Sequence, residues 1–512
     1  MNKIDSTTLY YGSLVTPVAG SLESYKALPK AALCVSNDTG IIQWIEEDVH
    51  ASGLQDVMLK HGILAEDASI VELKPGEFLL PGFIDTHTHA PQVPNIGSGQ
   101  EDELLNWLAK TTFPTEAKFA DVAFARKAYA SAVRRIIDNG TTTCCYYGTL
   151  HLEGTKVLAD IVHQYGQRGF VGKCNMDRNS PEYYVEPSAK ESLLRTEELI
   201  TYIRSLPSGS HATTPNALVQ PVLTPRFAIS CTSDLLTSLG ELAASDPSLT
   251  IQTHISENAS EIAFTKSLFP PTSLPGQTSE TTYAGVYDAF GLLRSNTILA
   301  HAVHLEDSEV ELIKERNAGI SHCPTSNFNL RSGWAKVGVL LDKGIKVGLG
   351  TDVSGGFSPS ILTAVQHASI ASKVVALSAP PSASTHPSSQ EQTQAHTSTS
   401  TPPFANRQLP IATLLYLATL GGAEVCNLAH RVGSLEVGKE FDALVASVRD
   451  DAGNPNLWGI DLEDNVKGDV GREELQGMVE RFLFCGDDRN IRRVYVRGKL
   501  IGGKVWNAGG RV

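Results

Sequence analysis

Several things are scarce in this chain, and each shortage closes off a class of function. Basic residues are outnumbered, 42 against 56 acidic, for a formal net charge of −14. That balance favours solubility and argues against a nucleic-acid partner. The one dense basic patch, Arg492, Arg493, Arg497 and Lys499, alternates with Val and Tyr and reads as an exposed strand face. No Cys-x-x-Cys occurs among the eight cysteines, which are scattered at 34, 144, 145, 174, 231, 323, 426 and 485, mostly in apolar surroundings. Buried free thiols in a reducing compartment fit that pattern. The opening stretch, MNKIDSTTLYYGSLV, has no apolar core of signal-peptide length, and no uninterrupted apolar run reaches membrane-span length. The expectation is a cytoplasmic protein with no membrane partner. No internal repeat is apparent, and no Gly-rich phosphate loop follows the first barrel-type strand.

What is present is a chain of 512 residues, too long for one compact core, with 41% hydrophobic and 19% charged residues. Residues 1–77 read as short strands and turns, with Leu9 to Val15, Ala31 to Ser36 and Ile41 to Ile45 strand-like and a hairpin turn at Asn37 to Gly40. Residues 431–512 carry a matching set, from Gly433 to Ser447 and from Ile491 to Ile501. The two ends are expected to pair into one small β-sandwich domain. Residues 78–430 alternate helical and strand patterns, with helices such as Asp121 to Asp138 closed by Gly140 and strands such as Thr141 to Tyr147 and Leu249 to His254. About eight such units indicate an α/β fold with a parallel sheet closed as a (β/α)8 barrel, with a doubly wound sheet as runner-up. Residues 378–403, rich in Ser, Thr, Pro and Gln, read as a low-complexity surface insertion that cannot form a core.

The chemistry begins at Leu80 to Gln92, where an apolar run, Phe78 to Ile84, feeds into His87 and His89. On a strand, residues i and i+2 share a face, so both imidazoles point the same way. A bare His-x-His is a weak signal. Its weight comes from later strand ends, where a barrel of this kind carries its functional groups. His254 ends a strand, with Glu257 three residues on as a carboxylate able to carry protons. His301 directly follows the apolar strand ending at Ala300, whereas His304 reads as structural, at the start of the next helix. Asp352 ends a further strand among glycines and supplies the one anionic ligand that three imidazoles lack. Arg226 and Phe227, just past another strand, offer a planar donor fork and a flat apolar face for a planar heterocycle bearing a carbonyl. Three imidazoles and a carboxylate suit zinc with one position open for water, with iron(II) or manganese as alternatives. Zinc brings the pKa of such a water to about 7.

Together, Pro81-Gly-Phe-Ile-Asp-Thr-His-Thr-His89, His254, His301 and Asp352 on successive strand ends resemble the amidohydrolase superfamily. Within it, the chain is similar to the guanine deaminase family. His89-Ala-Pro-Gln92, Trp107 to Glu116, Thr224-Pro-Arg-Phe227, His254-Ile-Ser-Glu257, Ser321 to Asn327, Gly348 to Gly356 and Cys485 to Asn490 carry that likeness over essentially the whole chain. The resemblance implies hydrolytic deamination of guanine to xanthine and ammonia by a cytoplasmic homodimer with one Zn2+ per chain. It implies zinc held by His87, His89, His254 and Asp352. Guanine would be positioned by Gln92, Arg226 and Phe227, with His254, Glu257 and Asp352 also reaching it. Glu257 would shuttle protons, Asp352 would share that work, and His301 would orient the attacking hydroxide. The Pro-Cys-x-x-Cys ligand motif of the cytidine-deaminase type is absent. Another amidohydrolase deaminase acting on a related amino-heterocycle shares the metal set, and only the Gln92, Arg226 and Phe227 pocket argues against it. A non-catalytic scaffold descended from such an enzyme would be expected to have lost metal ligands, and all four are here.

Overall fold

The apolar run ahead of the two histidines, expected as a single strand, is two: Glu77–Pro81 and Phe83–His89, broken at Gly82. A Cβ at Gly82 would collide with the Thr142 side chain, so the change of direction between the strands needs glycine. The computed structural model describes residues 7–207, 217–274, 281–378, 403–457 and 471–508. In chain order the first strands are β1 (Thr7–Pro17), β2 (Tyr25–Ser36), β3 (Ile42–Glu47), β4 (Ala68–Glu72) and β5 (Glu77–Pro81). A parallel set follows: β6 (Phe83–His89), β7 (Thr141–Tyr147), β8 (Arg168–Gly172), β9 (Cys174–Asn175), β10 (Val219–Pro225), β11 (Thr250–Ile255), β12 (Thr297–His301), β13 (Gly319–His322) and β14 (Lys346–Leu349). The chain finishes with β15 (Ala443–Ser447), β16 (Ile491–Val496) and β17 (Lys499–Gly502).

Two sheets result. One runs β17-β16-β15-β5-β1-β2-β3, with β4 added beside β1. It joins the chain ends through β5, which pairs in parallel with β1 (Leu14 opposite Leu79) and antiparallel with β15 (Val445 opposite Leu79). β5 therefore belongs to the terminal sheet, although its sequence is continuous with the first barrel strand. The other sheet runs β14-β13-β12-β11-β10-β8-β7-β6, with β9 paired to β10, all parallel. Its first and last strands meet where Thr86 Oγ1 donates to the Leu349 carbonyl (2.9 Å) and Asp352 N to the His87 carbonyl (2.9 Å). This is the expected barrel, nearly closed. Its strands are buried on both faces, as in sheets wrapped by helices.

The helices obey local rules. Val122–Asp138 starts on Asp121, whose carboxylate accepts from the amides of Ala123 and Phe124, and its buried stripe runs Ala125, Tyr129, Ala132, Val133, Ile136. Ile361–Ser378 is the one helix among the described residues long and apolar enough to cross a membrane. It is a core helix: Ile361, Leu362, Val365 and Ala368 are buried, and Gln366 donates to the carbonyls of Leu483 and Phe484. Of the low-complexity stretch, only Ser378, at the end of this helix, and residues from Pro403 onward fall within the described residues. The basic patch near the C-terminus is not a free face. Arg497 donates to Glu440 (2.8 Å), Arg492 lies 3.7 Å from Glu77, and Lys499 is exposed.

Candidate active site

The period of β6 puts Asp85, His87 and His89 on one face. Asp85 is fully buried and ties the first strand of the barrel to the last. Its Oδ1 accepts from the amides of His87 (3.1 Å) and Thr351 (3.1 Å), and its Oδ2 from the Thr351 hydroxyl (2.6 Å). Burial pushes its carboxyl up to about 7, against the pull of those hydrogen bonds. Gly350 lets the end of β14 pass this close, since a Cβ there would sit 3.0 Å from His87 Cβ and closer still to Ser321 and Cys323.

The barrel mouth gathers His87, His89, His254 and Asp352, whose ligand atoms all lie within 4.8 Å of one another. His87 Nε2 is 3.1 Å and His89 Nε2 3.4 Å from Asp352 Oδ1, and His89 Nε2 faces His254 Nε2 at 3.2 Å. His254 Nδ1 is bonded to the Arg226 carbonyl, which can only accept. The proton therefore sits on Nδ1, and Nε2 aims a lone pair at another ring nitrogen and a carboxylate. A cation among them accounts for that convergence, and three nitrogens with one oxygen fit a divalent ion of intermediate softness. The electrostatics agree. Burial holds the three imidazoles below their ordinary pKa, in the neutral ligating form. Burial alone would raise Asp352, but the His87 hydrogen bond and the surrounding imidazoles outweigh it and hold the carboxylate ionised. Asp352 (φ 44°) and His301 (φ 76°) both adopt left-handed backbone, strain that persists where the surroundings over-determine it and that clusters at functional sites.

Beside the donor set stands a second imidazole–carboxylate pair. His301 Nδ1 donates to Asn327 Oδ1 (2.9 Å), which turns Nε2 toward Glu257 Oε2 (3.4 Å) and Asp352 Oδ2 (3.8 Å). Glu257 also accepts from the Ser332 hydroxyl (3.1 Å). Burial pushes Glu257 up to about 7, with His301 pulling the other way. For His301, burial is outweighed by the two carboxylates, and its pKa rises. His304 lies outside the site, in the loop before the helix Asp307–Glu315, with Nε2 against the Ser332 carbonyl (2.6 Å).

Arg226 and Gln92 meet on the opposite wall, and both are bonded to a residue that sequence reasoning gave no role, Glu116. Arg226 donates from Nη1 to Glu116 Oε2 (2.7 Å) and from Nη2 to Oε1 (3.1 Å). Gln92 Nε2 donates to Glu116 Oε1 (2.8 Å), and its Oε1 accepts from Ser354 N (3.0 Å). Phe227 also faces the cavity, its ring 6.3 Å from that of His254. The cavity has an apolar side of Leu104, Trp107, Leu108 and Leu330. The sequence held one clue to Glu116: a buried guanidinium needs an anion. Nothing in it said which of 56 acidic residues. Asp85, Asn327 and Ser332 were likewise unassigned.

The Amidohydrolase family model matches residues 78–501. A probable guanine deaminase of Schizosaccharomyces pombe is 43% identical over 501 residues, spanning 97% of this chain and 83% of that protein. The chain belongs to the guanine deaminase family of amidohydrolases. A second member of the guanine deaminase family, from Dictyostelium discoideum, is 39% identical over 96% of this chain and 98% of its own length. The crystal structure of the guanine deaminase from C. acetobutylicum, with guanine bound in its active site, superposes with a TM-score of 0.76 at 32% identity, covering 96% of this chain and 99% of that one.

Proposed function

We infer that the chain is a guanine deaminase, hydrolysing guanine to xanthine and ammonia with one zinc ion per chain. The observation that carries this reading is the meeting, in one buried cavity, of a complete donor set for a metal with two side chains suited to reading an amide edge. The relatives that match almost the whole chain are named for the same reaction.

In this reading His87, His89, His254 and Asp352 hold the ion, which supplies an acidified water as nucleophile. The side chains do the rest. Arg226 donates to O6, where electron density accumulates, and Gln92 holds the amidine edge, so that C2 lies toward the donor set. Phe227 gives the ring an apolar wall. Glu257, poised near neutrality, takes up a proton and delivers it to N3, so the ring never carries a full negative charge. The proton of the new C2 hydroxyl, passed on to the amine, lets ammonia leave as the C2–N bond breaks and the carbonyl forms. His301, fixed by Asn327, orients the incoming oxygen, and Asp352 shares the proton. The reading carries a cytoplasmic setting and a homodimer with it. Seven of the eight cysteines are buried, and none is disulfide-bonded even though Cys145 and Cys426 lie 3.5 Å apart, which suits a reducing compartment.

Purified protein loaded with zinc should release ammonia from guanine and not from adenine. Adenine offers an amine where Arg226 offers only donors, and a site built on such bonds rejects the wrong partner by roughly 10⁴-fold. Asp352→Ala should lose both turnover and stoichiometric metal, read by elemental analysis. Efficient deamination of adenine or cytosine in place of guanine would overturn the reading.

A further inference from the structure

Glu116 does not line the cavity, yet it holds both side chains that do the reading. Its carboxylate is fully committed. Oε1 accepts from Gln92 and Arg226, and Oε2 from Arg226 and from the Tyr184 hydroxyl (2.6 Å). Four donors fill the roughly four acceptor positions of a carboxylate, so none is left for a ligand. Glu116 is wholly buried, as is Tyr184, and the guanidinium lies over the Phe113 ring at 5.2 Å. Arg226 can therefore neither rotate nor withdraw. Nη1 spends its donors on Glu116 and the Met176 sulfur, and Nη2 spends one on Glu116. One Nη2 N–H and Nε–H remain uncommitted among the described residues. The bond from Gln92 to Glu116, with Ser354 N on its other end, also settles which end of that amide is which.

We propose that Glu116 is the positioning and specificity residue of the pocket, locking Arg226 and Gln92 as donors while cancelling the charge of Arg226, so that the cavity takes neutral planar amides and turns away planar anions. An isolated arginine in a dry cavity attracts carboxylates and other oxyanions through charge-assisted bonds. Paired with Glu116, the same guanidinium offers geometry without net charge, which suits a neutral ring carbonyl. The proposal rests on the guanine reading for the identity of the substrate. The charge balance between Arg226 and Glu116 belongs to the pocket whatever ring it holds.

The test compares the zinc-loaded enzyme with Glu116→Gln, using guanine as substrate and urate, a planar purine anion at neutral pH, as probe. Glutamine keeps the size and can still accept from Gln92, but leaves the guanidinium uncompensated. Guanine kcat/KM should fall roughly 100-fold, the scale of about 1 Å of misplacement, with most of the loss in KM. Urate binding, read by titration calorimetry, should tighten about tenfold or more, the gap between neutral and charge-assisted bonds. A merely structural role would weaken both ligands alike. Because the single variant carries a buried unpaired charge, Glu116→Gln combined with Arg226→Leu supplies a neutral background. There, adding Glu116→Gln to Arg226→Leu should change guanine kcat/KM by less than about threefold, since the glutamine still accepts from Gln92 and the rest of the effect of Glu116 runs through Arg226. Additive losses, or urate affinity unchanged in the single variant, would overturn the proposal. A parent enzyme inert toward guanine but showing the urate shift would overturn the substrate reading and leave the pocket-charge inference standing.

Discussion

Two arginines lie buried at opposite ends of the same barrel, and each faces carboxylates. Arg168, at the start of β8, donates from Nε to Asp442 Oδ2 (2.9 Å) and from Nη2 to Glu440 Oε2 (2.6 Å) and Asp442 Oδ1 (3.1 Å). Arg226, past the end of β10, meets Glu116 alone. The chemistry is the same and the use is different. Asp442 and Glu440 lie on the approach to β15, in the terminal sheet, and Arg431 and Arg497 also hold Glu440. That cluster fastens the sheet to the barrel floor. Glu116 comes from the segment that roofs the cavity, and its pair opens onto that cavity. Buried ion pairs are weak sources of net stability, so what separates these two is what their spare N–H groups can reach. In barrels of this kind the C-terminal face carries the chemistry and the N-terminal face carries stability.

The contrast can be broken from either end. The largest effect is expected at the top. Arg226→Leu should lower guanine kcat/KM by roughly 10²- to 10³-fold, as loss of one preorganised donor does, while bound zinc stays at the parent level. Steady-state kinetics with elemental analysis would read both, and unimpaired turnover would remove Arg226 from the pocket. At the floor, Arg168→Leu leaves Asp442 buried and short of a partner and should cost about 3–5 kcal/mol in denaturant unfolding. Its kcat per folded molecule should stay within about twofold, a tolerance set by the distance from the chemistry. A matching loss of kcat would mean that the floor and the mouth are not separable.

The smallest effect is in pH. Burial raises the Glu440 carboxyl, but Arg168, Arg431 and Arg497 outweigh it and hold it at about 2, against an ordinary 4.5. A group depressed on folding contributes stability above its ordinary pKa and loses it as pH falls toward the folded value. The melting-temperature advantage of the parent over Glu440→Gln should therefore be full above about pH 5 and shrink as pH falls toward 2. Parallel melting curves through that range would show that the cluster contributes no pH-dependent stability.

The sequence made much of this legible where spacing is local. His87 and His89 declare themselves because a strand alternates with period two, and His254, His301 and Asp352 because each ends an apolar run. The helix Val122–Asp138 announced its period and its stop at Gly140, while Asp121, read as its first residue, is its cap. What stayed hidden was of two kinds. Some boundaries were masked by continuity: Phe78 to Ile84 is evenly apolar, and only Gly82 marks where one sheet hands over to the other. Tyr283–Ala289 passed unread because seven residues carry too little period, whereas Arg472–Cys485 was legible and missed: its buried Leu475, Met478, Val479, Phe482 and Leu483 follow helical spacing. The rest was long-range partnership. Glu116 and Arg226 are 110 residues apart, and Asp85 finds Thr351 across 266. No local rule pairs them, since only the closed barrel brings them within reach.

That closure sets an order of events during folding. His87 belongs to the first strand of the ring and Asp352 follows the last, 265 residues later in the chain. Within the ring, their encounter is the last that a growing chain can make, and the entropy of closing so long a loop must be met before it gains anything in return. A chain still lacking β14 has three imidazoles and no anionic ligand, whatever else has already collapsed. Tight capture of the ion is thus a report that the circle is complete, and a metal-sensitive probe on a stalled nascent chain would date the moment at which the barrel shuts.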